Sequence, residues 1–181
     1  LSVNTYFALR GKKAGLCNVV QAAESMGITV PAQDVVGPFT LGVTSVSPLD
    51  MAAAYAVPAS GGMYCKPAPI SAIVDLNGKS IKKFSPDCKR VLTKGEAAQI
   101  NDILRGLQQP GGFGYDLGGT GLTIPSAAKT GTTQDNKAVW YNGYTPELAT
   151  AAMIAGVTDK GIPKSLAGVT IRGRFVDFHS V

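Results

Sequence analysis

Residues 126–133 read Ser-Ala-Ala-Lys-Thr-Gly-Thr-Thr, and the central Lys129, Thr130, Gly131 and Thr132 place a cation, two hydroxyls and a glycine in consecutive positions. On an edge strand this composition suits an anionic ligand held by backbone and side chains together. Gly131 lacks the side chain that would keep a peptide-like substrate from lying against the strand and pairing with its backbone. Lys129 supplies positive charge, and Thr130 and Thr132, two residues apart on one strand face, offer hydroxyl hydrogen bonds to a carboxylate. The plain alternative is a strand end running into a polar turn. Average composition produces a K-T-G-[ST] run by chance in about one chain of this length in a couple of hundred.

A second triplet, Ser2-Val3-Asn4, has the form S-x-N. About every second chain of this size contains one, so alone it reads as an ordinary helix cap.

The elements that must position these residues follow from periodicity and turn chemistry. Asn4 is placed to cap a helix over residues 5–10, with Gly11 as its stop. Leu16, Val19, Val20, Ala23 and Met26 recur at helical spacing, and Gly27 follows as a C-cap. Residues 28–44 form an irregular connection with a short buried piece at 39–43. Ser47 caps a helix with Pro48 in its first turn, Leu49, Ala52, Ala53 and Ala56 as its packing face, and a kink or end at Pro58. Residues 70–76 and 80–84 read as two strands of a hairpin turning at Asn77-Gly78. Thr93 and Glu96 form a capping box before the amphipathic Ala97, Ile100, Ile103, Leu104 and Leu107. A glycine-rich loop over 110–121 leads to the K-T-G-T strand. Strands at 138–144 and 148–157 follow, giving three consecutive antiparallel strands with Lys129 on the first. Residues 169–178 read as a strand or a loosely held tail.

With 181 residues and 45% hydrophobic content, the chain is long enough to bury about 70% of its unfolded surface, and one domain is the natural count. The charge of +5 comes from 17 basic against 12 acidic residues, read as spread along the chain without a nucleic-acid-binding run. A mildly basic surface also favours an anionic polymer or a membrane face by long-range attraction. No run approaches the roughly 20 apolar residues needed to cross a bilayer. The chain starts inside an element without an initiating Met, and is expected to be a fragment. Cys17 lies on the apolar side of its helix and is expected to be a buried small hydrophobe. Folding about Asn77-Gly78 brings Cys65 and Cys88 nearly opposite each other, which leaves two possibilities: a disulfide, implying an oxidising compartment, or two unpaired thiols.

Ordered pairing changes the weight of the two motifs. The sequence resembles the transpeptidase domain of class A, bifunctional penicillin-binding proteins, whose acyl-transfer machinery uses S-x-x-K, S-x-N and K-T-G in that order. Besides Ser2-Val3-Asn4-Thr5 and Lys129-Thr130-Gly131-Thr132, the resemblance is carried by Ser45-Val46-Ser47-Pro48-Leu49-Asp50-Met51-Ala52, Ala54-Tyr55-Ala56, Gly61-Gly62, Trp140 and Gly143-Tyr144-Thr145-Pro146. It implies an α+β fold of the serine β-lactamase type, an antiparallel sheet with a helical subdomain, incomplete here at both ends. It also implies cross-linking of peptidoglycan stem peptides outside the cytoplasmic membrane, acylation by β-lactam antibiotics, and no cofactor, metal or nucleic acid.

Residue by residue, the resemblance implies that Ser2 relays protons and that Asn4 holds the substrate amide and the S-x-x-K lysine. Lys129 adds positive potential and bonds Ser2, Thr130 and Thr132 bind the substrate carboxylate, and the Thr132 N–H forms half of an oxyanion hole. Gly131 leaves room for the acyl group. No S-x-x-K tetrad precedes Ser2, and the family's last strand and helix have no counterpart after Val157. A separate chain or a further segment of the same domain is therefore expected to carry the nucleophile, and the parent protein a membrane anchor. Two readings on the same scaffold stay open: a β-lactamase or D,D-carboxypeptidase, and a non-catalytic sensor or peptidoglycan-binding module. Trp140 and Tyr141 read as sheet packing, Asp135 and Asn136 as turn residues, and His179 as a solvated tail residue.

Overall fold

A computed structural model describes residues 2–116, 124–171 and 173–176. His179 and the ends of the 110–121 and 169–178 segments lie outside the described residues. The chain divides into two compact units, residues 2–98 and 99–181, and each is described by itself.

The first unit opens with helices α1 (Asn4–Ala14) and α2 (Leu16–Ser25). Asn4 is not a cap: Val3 holds the extended N-cap position, no side chain caps the helix, and Asn4 is its first helical residue. Gly11 does not stop α1 either. A Cβ there would come within 2.4 Å of the Thr40 methyl, so Gly11 serves close packing against the turn Gly37–Leu41, and Gly15 at φ 86° ends the helix. The stripe Leu16, Val19, Val20, Ala23 and Met26 turns inward, with Val20 buried. Cys17, one residue and about 100° around from that stripe, is an exposed free thiol rather than a core residue.

The connection to the next helix consists of two 3-10 turns, Ala32–Asp34 and Gly37–Leu41. Its expected buried piece is only half-buried at Phe39 and Thr40, while Leu41 and Val43 are exposed. Helix α3 (Pro48–Ala59) starts as anticipated, with Ser47 Oγ accepting from the Asp50 N–H at 3.1 Å, and ends one residue beyond Pro58. Its buried face is Ala54, Val57 and Pro58, not a stripe from Leu49, which is exposed. The reason is the strand that follows: the Gly62 N–H bonds the Val57 carbonyl at 2.8 Å, and Ser60 Oγ donates to the Met63 carbonyl at 2.8 Å. These bonds press the C-terminal half of α3 against β1 (Met63–Cys65).

β1 pairs antiparallel with β4 (Cys88–Arg90), placing Cys65 directly opposite Cys88, and the two sulfurs are bonded. Between them, β2 (Ala72–Val74) and β3 (Ser80–Lys83) form a shorter hairpin than the sequence suggests, with a bulge between Ile73 and Val74. Asp75 shapes its tip by accepting from the Asn77 and Lys79 N–H groups at 2.9 and 2.8 Å, and Gly78 takes φ 79°. The capping box of α4 (Lys94–Arg105) is complete: the Thr93 N–H donates to Glu96 Oε2 at 2.7 Å, and the Glu96 N–H returns a bond to Thr93 Oγ1 at 3.2 Å. Those bonds to Thr93 hold the Glu96 carboxyl below its ordinary pKa of 4.5.

The second unit begins within α4. Ala97, at the end of the first unit, is buried, and Ile100 and Leu104 turn inward, but Ile103 is exposed. A 3-10 turn, Gly106–Gln108, carries the buried Leu107, and a single turn α5 (Phe113–Asp116) interrupts the expected loop. The sheet is antiparallel in the order β5 (Ala127–Thr132), β6 (Ala138–Tyr144), β7 (Ala149–Val157), β8 (Pro163–Lys164). Its first three strands are the three read from the sequence. Val139 and Leu166 form a buried pair, held by the Leu166 N–H to Asn136 carbonyl bond at 2.9 Å. A separate pair, β9 (Val169–Ile171) with β10 (Arg174–Val176), covers the described part of the 169–178 segment.

Two sheet glycines differ in why they are glycines. At Gly156 a Cβ would lie 2.5 Å from the Lys164 carbonyl oxygen and 2.8 Å from Leu166, so backbone packing forbids a side chain. At Gly131 a Cβ would meet nothing nearer than Trp140 Cβ at 3.4 Å, and φ is not left-handed. Gly156→Ala should therefore cost about 2 kcal/mol through overpacking, whereas Gly131→Ala should stabilise by roughly 0.5 kcal/mol; chemical denaturation of the two variants separates them. Replacing Cys65 and Cys88 by Ser opens a cross-link with a sequence separation of 23, and loop-closure entropy puts the loss near ~3 kcal/mol, read as a lower denaturation midpoint that reductant reproduces in the parent chain. Thr93→Ala should cost about 1 kcal/mol. Because the Glu96 pKa is lowered on folding, its stabilisation is fully present above 4.5 and is lost as the pH falls through the lower folded value. An NMR titration of the Glu96 carboxyl carbon should show a midpoint under 4.5 that rises only part of the way in Thr93→Ala, which keeps the backbone N–H donor and loses the hydroxyl.

Candidate active-site strand

Strand β5 carries Lys129, Thr130, Gly131 and Thr132 in one extended run, paired on one side only, with β6. The pairing is set by the turn between them. Asp135 and Asn136 take positive φ of 59° and 52°, the Thr133 N–H donates to the Ala138 carbonyl at 2.9 Å, and Thr133 Oγ1 accepts from the Ala138 N–H at 2.8 Å. Asx residues tolerate the left-handed region, which is why a tight reversal forms here. The resulting register sets Lys129 opposite Asn142, Thr130 opposite Tyr141, Gly131 opposite Trp140 and Thr132 opposite Val139.

Backbone direction alternates along an antiparallel strand. Since the Thr133 N–H points at β6, the N–H and C=O of Thr132, and two residues earlier those of Thr130, point to the other edge. Among the described residues no strand occupies that edge. It presents the Thr132 N–H as a donor and the Thr130 carbonyl as an acceptor, and the latter already receives Lys129 Nζ at 2.7 Å.

Lys129 is half-buried, and burial lowers the pKa of its ammonium from the ordinary lysine value. Thr130 is half-buried and Thr132 exposed, so the hydroxyl-bearing face becomes more open toward the strand's end. Gln108 donates to Tyr141 Oη, and Tyr144 Oη donates to Asn101 Oδ1 at 2.7 Å. Both bonds tie β6 to the end of α4 and the turn after it, which steadies the strand on which β5 rests. Trp140 and Tyr141 are half-buried in the sheet.

One residue that sequence reasoning did not single out is Asn142. It is the buried polar residue of the sheet, the direct register partner of Lys129, and its Oδ1 has no hydrogen-bond partner among the described residues. Directly paired residues share a face, so a buried carboxamide and the lysine ammonium stand on the same side. The signal was available in the sequence: a turn placed between Thr133 and Ala138 pairs 129 with 142 by counting.

Ser2 and Asn4 belong to the other unit, at the start of α1, and both are exposed. No side chain caps α1, so its first turn does not use Asn4 as a backbone cap. Two S-x-x-K tetrads occur after Ser2, at Ser80 to Lys83 and Ser126 to Lys129. The first lies on β3 and the second runs into β5. Extended residues three apart face opposite ways, so neither forms the serine–lysine pair that a helical turn would create.

Comparison with known proteins identifies the family. The penicillin-binding protein transpeptidase domain model matches residues 3–174. Penicillin-binding protein 1A of Aquifex aeolicus is 32% identical over 170 residues, covering 92% of this chain and 22% of that protein. Its counterpart from Clostridium acetobutylicum is 30% identical over 157 residues, covering 84% of this chain and 19% of that protein. The chain thus spans about a fifth of the length of these relatives. Among solved structures, penicillin-binding protein 1A of Haemophilus influenzae superposes with a TM-score of 0.76 at 22% identity, over 90% of this chain and 30% of that one. The PonA1 protein of Mycobacterium tuberculosis, solved in complex with penicillin V, gives a TM-score of 0.63 at 29% identity, over 84% and 46%. The combination of helices and antiparallel sheet is the α+β fold of these transpeptidase domains. A strand carrying Lys129-Thr130-Gly131-Thr132 at a sheet edge, downstream of Ser2-Val3-Asn4, together with a family match over nearly the whole chain, places this protein in the transpeptidase domain family of class A penicillin-binding proteins.

Proposed function

We propose that this chain provides the S-x-N and K-T-G parts of a serine D,D-transpeptidase that cross-links peptidoglycan stem peptides in the bacterial envelope, outside the cytoplasmic membrane. The observation that carries the reading is the edge of β5, where the Thr132 N–H faces away from β6, next to a half-buried lysine. A tetrahedral intermediate needs preorganised donors at its oxyanion, and the outward Thr132 N–H is one. The Thr132 and Thr130 hydroxyls hold the terminal carboxylate of the stem peptide. Gly131, which neither φ nor packing requires to be glycine, keeps the space beside the strand open for the acyl group.

In the first half-reaction a serine hydroxyl from an S-x-x-K segment outside this sequence attacks the carbonyl between two D-alanines. The serine ester C–O bond forms, the peptide C–N bond breaks, and the serine's proton ends on the departing D-alanine amine. Ser2 passes that proton, and Lys129 contributes positive charge. Burial favours the neutral amine of Lys129 more than in an ordinary lysine, which suits a group that lends protons. Asn4 holds the substrate amide. In the second half-reaction the amine of another stem peptide attacks the ester, a new amide forms, and its proton returns to the serine. A β-lactam follows the first half only: its ring C–N bond opens, the nitrogen stays tethered, and the ester persists.

Intact mass spectrometry of the domain completed with its S-x-x-K segment, after exposure to a labelled penicillin, tests the proposal. One added penicillin mass is expected, and Lys129→Ala or Ser2→Ala should slow its appearance by orders of magnitude while thermal melts stay near the parent. Near-normal acylation in either variant would refute the assigned roles, and no acylation of the completed parent domain would refute the activity.

A further inference from the structure

Charge is not spread evenly in the folded chain. Residues 66–90 hold six basic side chains, Lys66, Lys79, Lys82, Lys83, Lys89 and Arg90, against Asp75 and Asp87, a net +4 within a chain of +5. These residues form the β2–β3 hairpin and its root. Asp75 is occupied by the turn's own N–H groups, and Arg90 Nη1 donates to the Gly61 carbonyl at 2.7 Å. Among the described residues the hairpin lysines make no ion pair; the one recorded joins Lys137 to Asp135.

The same hairpin is apolar where a solvated ribbon would be polar. Leu76 at its apex is fully exposed, and Ile73, Val74, Ile81 and Phe84 behind it are exposed as well. Register and alternation divide them between the two faces: Ile73, Lys82 and Phe84 on one, with Lys82 Nζ 4.9 Å from the Phe84 ring centre, and Ile81 and Lys83 on the other. A two-stranded ribbon with both faces wet has little stability of its own. What holds this one is its root, where the disulfide Cys65–Cys88 and the Lys66 N–H to Asp87 carbonyl bond at 2.8 Å fasten the two legs.

We propose that this hairpin is an arm that docks tip-first on an anionic lipid surface. A flat protein partner would cover one face of the ribbon and leave the apolar residues of the other in water; insertion of the tip covers both. A hydrophilic polyanion would satisfy the lysines and leave Leu76 where it is, in water. A lipid interface takes Leu76 and its apolar neighbours below the headgroups while the lysine stems on both faces lie along them and their ammonium groups meet lipid phosphates. The disulfide at the root presents the tip already ordered, so little conformational freedom is lost on docking. This inference does not depend on the catalytic reading and needs no activity to test.

Co-sedimentation of the 181-residue chain with phosphatidylglycerol-containing vesicles is the test, beside pure phosphatidylcholine vesicles and soluble polyphosphate. Expected are binding to the phosphatidylglycerol vesicles that weakens as salt is raised, little binding to phosphatidylcholine, and about a tenfold loss in each of two variants, Leu76→Asp and the triple Lys79→Glu, Lys82→Glu, Lys83→Glu. All four positions are exposed, so both variants should keep the parent's circular dichroism and melting temperature. Absence of vesicle binding overturns the proposal. So does vesicle binding that Leu76→Asp leaves unchanged, because the tip is then not inserted, and so does polyphosphate binding without vesicle binding, which assigns the lysines to a polyanion.

Discussion

The antiparallel register of β5 on β6 is the constraint on which the candidate site depends. It is fixed by two left-handed residues, Asp135 and Asn136, and by Thr133, whose side chain takes the place of a backbone acceptor opposite Ala138. A shift of one residue would exchange the two edges of β5 and the two faces of the strand together. The Thr132 N–H would then point into the sheet, and Lys129 would leave the face it shares with Asn142. The chemistry attributed to this strand is thus a consequence of a turn several residues away.

Lys129 shows how burial and function can oppose each other. Placing an ammonium group half out of water is unfavourable, and the strand offsets this with the Thr130 carbonyl. Asn142 adds a buried carboxamide on the same side, with an oxygen that has no partner among the described residues. Unsatisfied buried oxygen is uncommon in proteins because it costs stability. Its register position is directly opposite the lysine. Gly131 belongs to the same pattern, since neither its backbone conformation nor its neighbours ask for glycine, whereas Gly156 is imposed by the Lys164 carbonyl.

The first unit is organised differently. α1 packs on the Gly37–Leu41 turn through Gly11, α3 is hydrogen-bonded to β1 at its C-terminal end, and the strands are short pairs rather than a sheet. Cys65–Cys88 joins the inner pair, and the outer hairpin with its root, residues 66–90, carries most of the chain's net charge. The K-T-G-T strand and the basic hairpin therefore fall on different units, while Ser2 and Asn4 lie on the same unit as the hairpin.

Local chemistry was enough to predict the capping box at Thr93 and Glu96, the start of α3 at Ser47, the β6 and β7 strands and the K-T-G-T strand with its family. Each of these depends on residues within a few positions of one another, or on a strict period. Three kinds of error came from contacts distant in sequence. Gly11 reads as a stop but is a packing surface for Thr40; Leu49 and Ile103 read as core but face outward, because the neighbours that define the inner face come from β1 and from the sheet; and Cys17 reads as buried although its helix turns it away. The pairing of Lys129 with Asn142, the outward direction of the Thr132 N–H and the gathering of lysines onto one arm are properties of register and chain reversal. Side-chain identity names the groups available for chemistry, but which edge, face or surface they occupy is decided by hydrogen-bonded pairing across the fold, where one residue of slip reverses every direction.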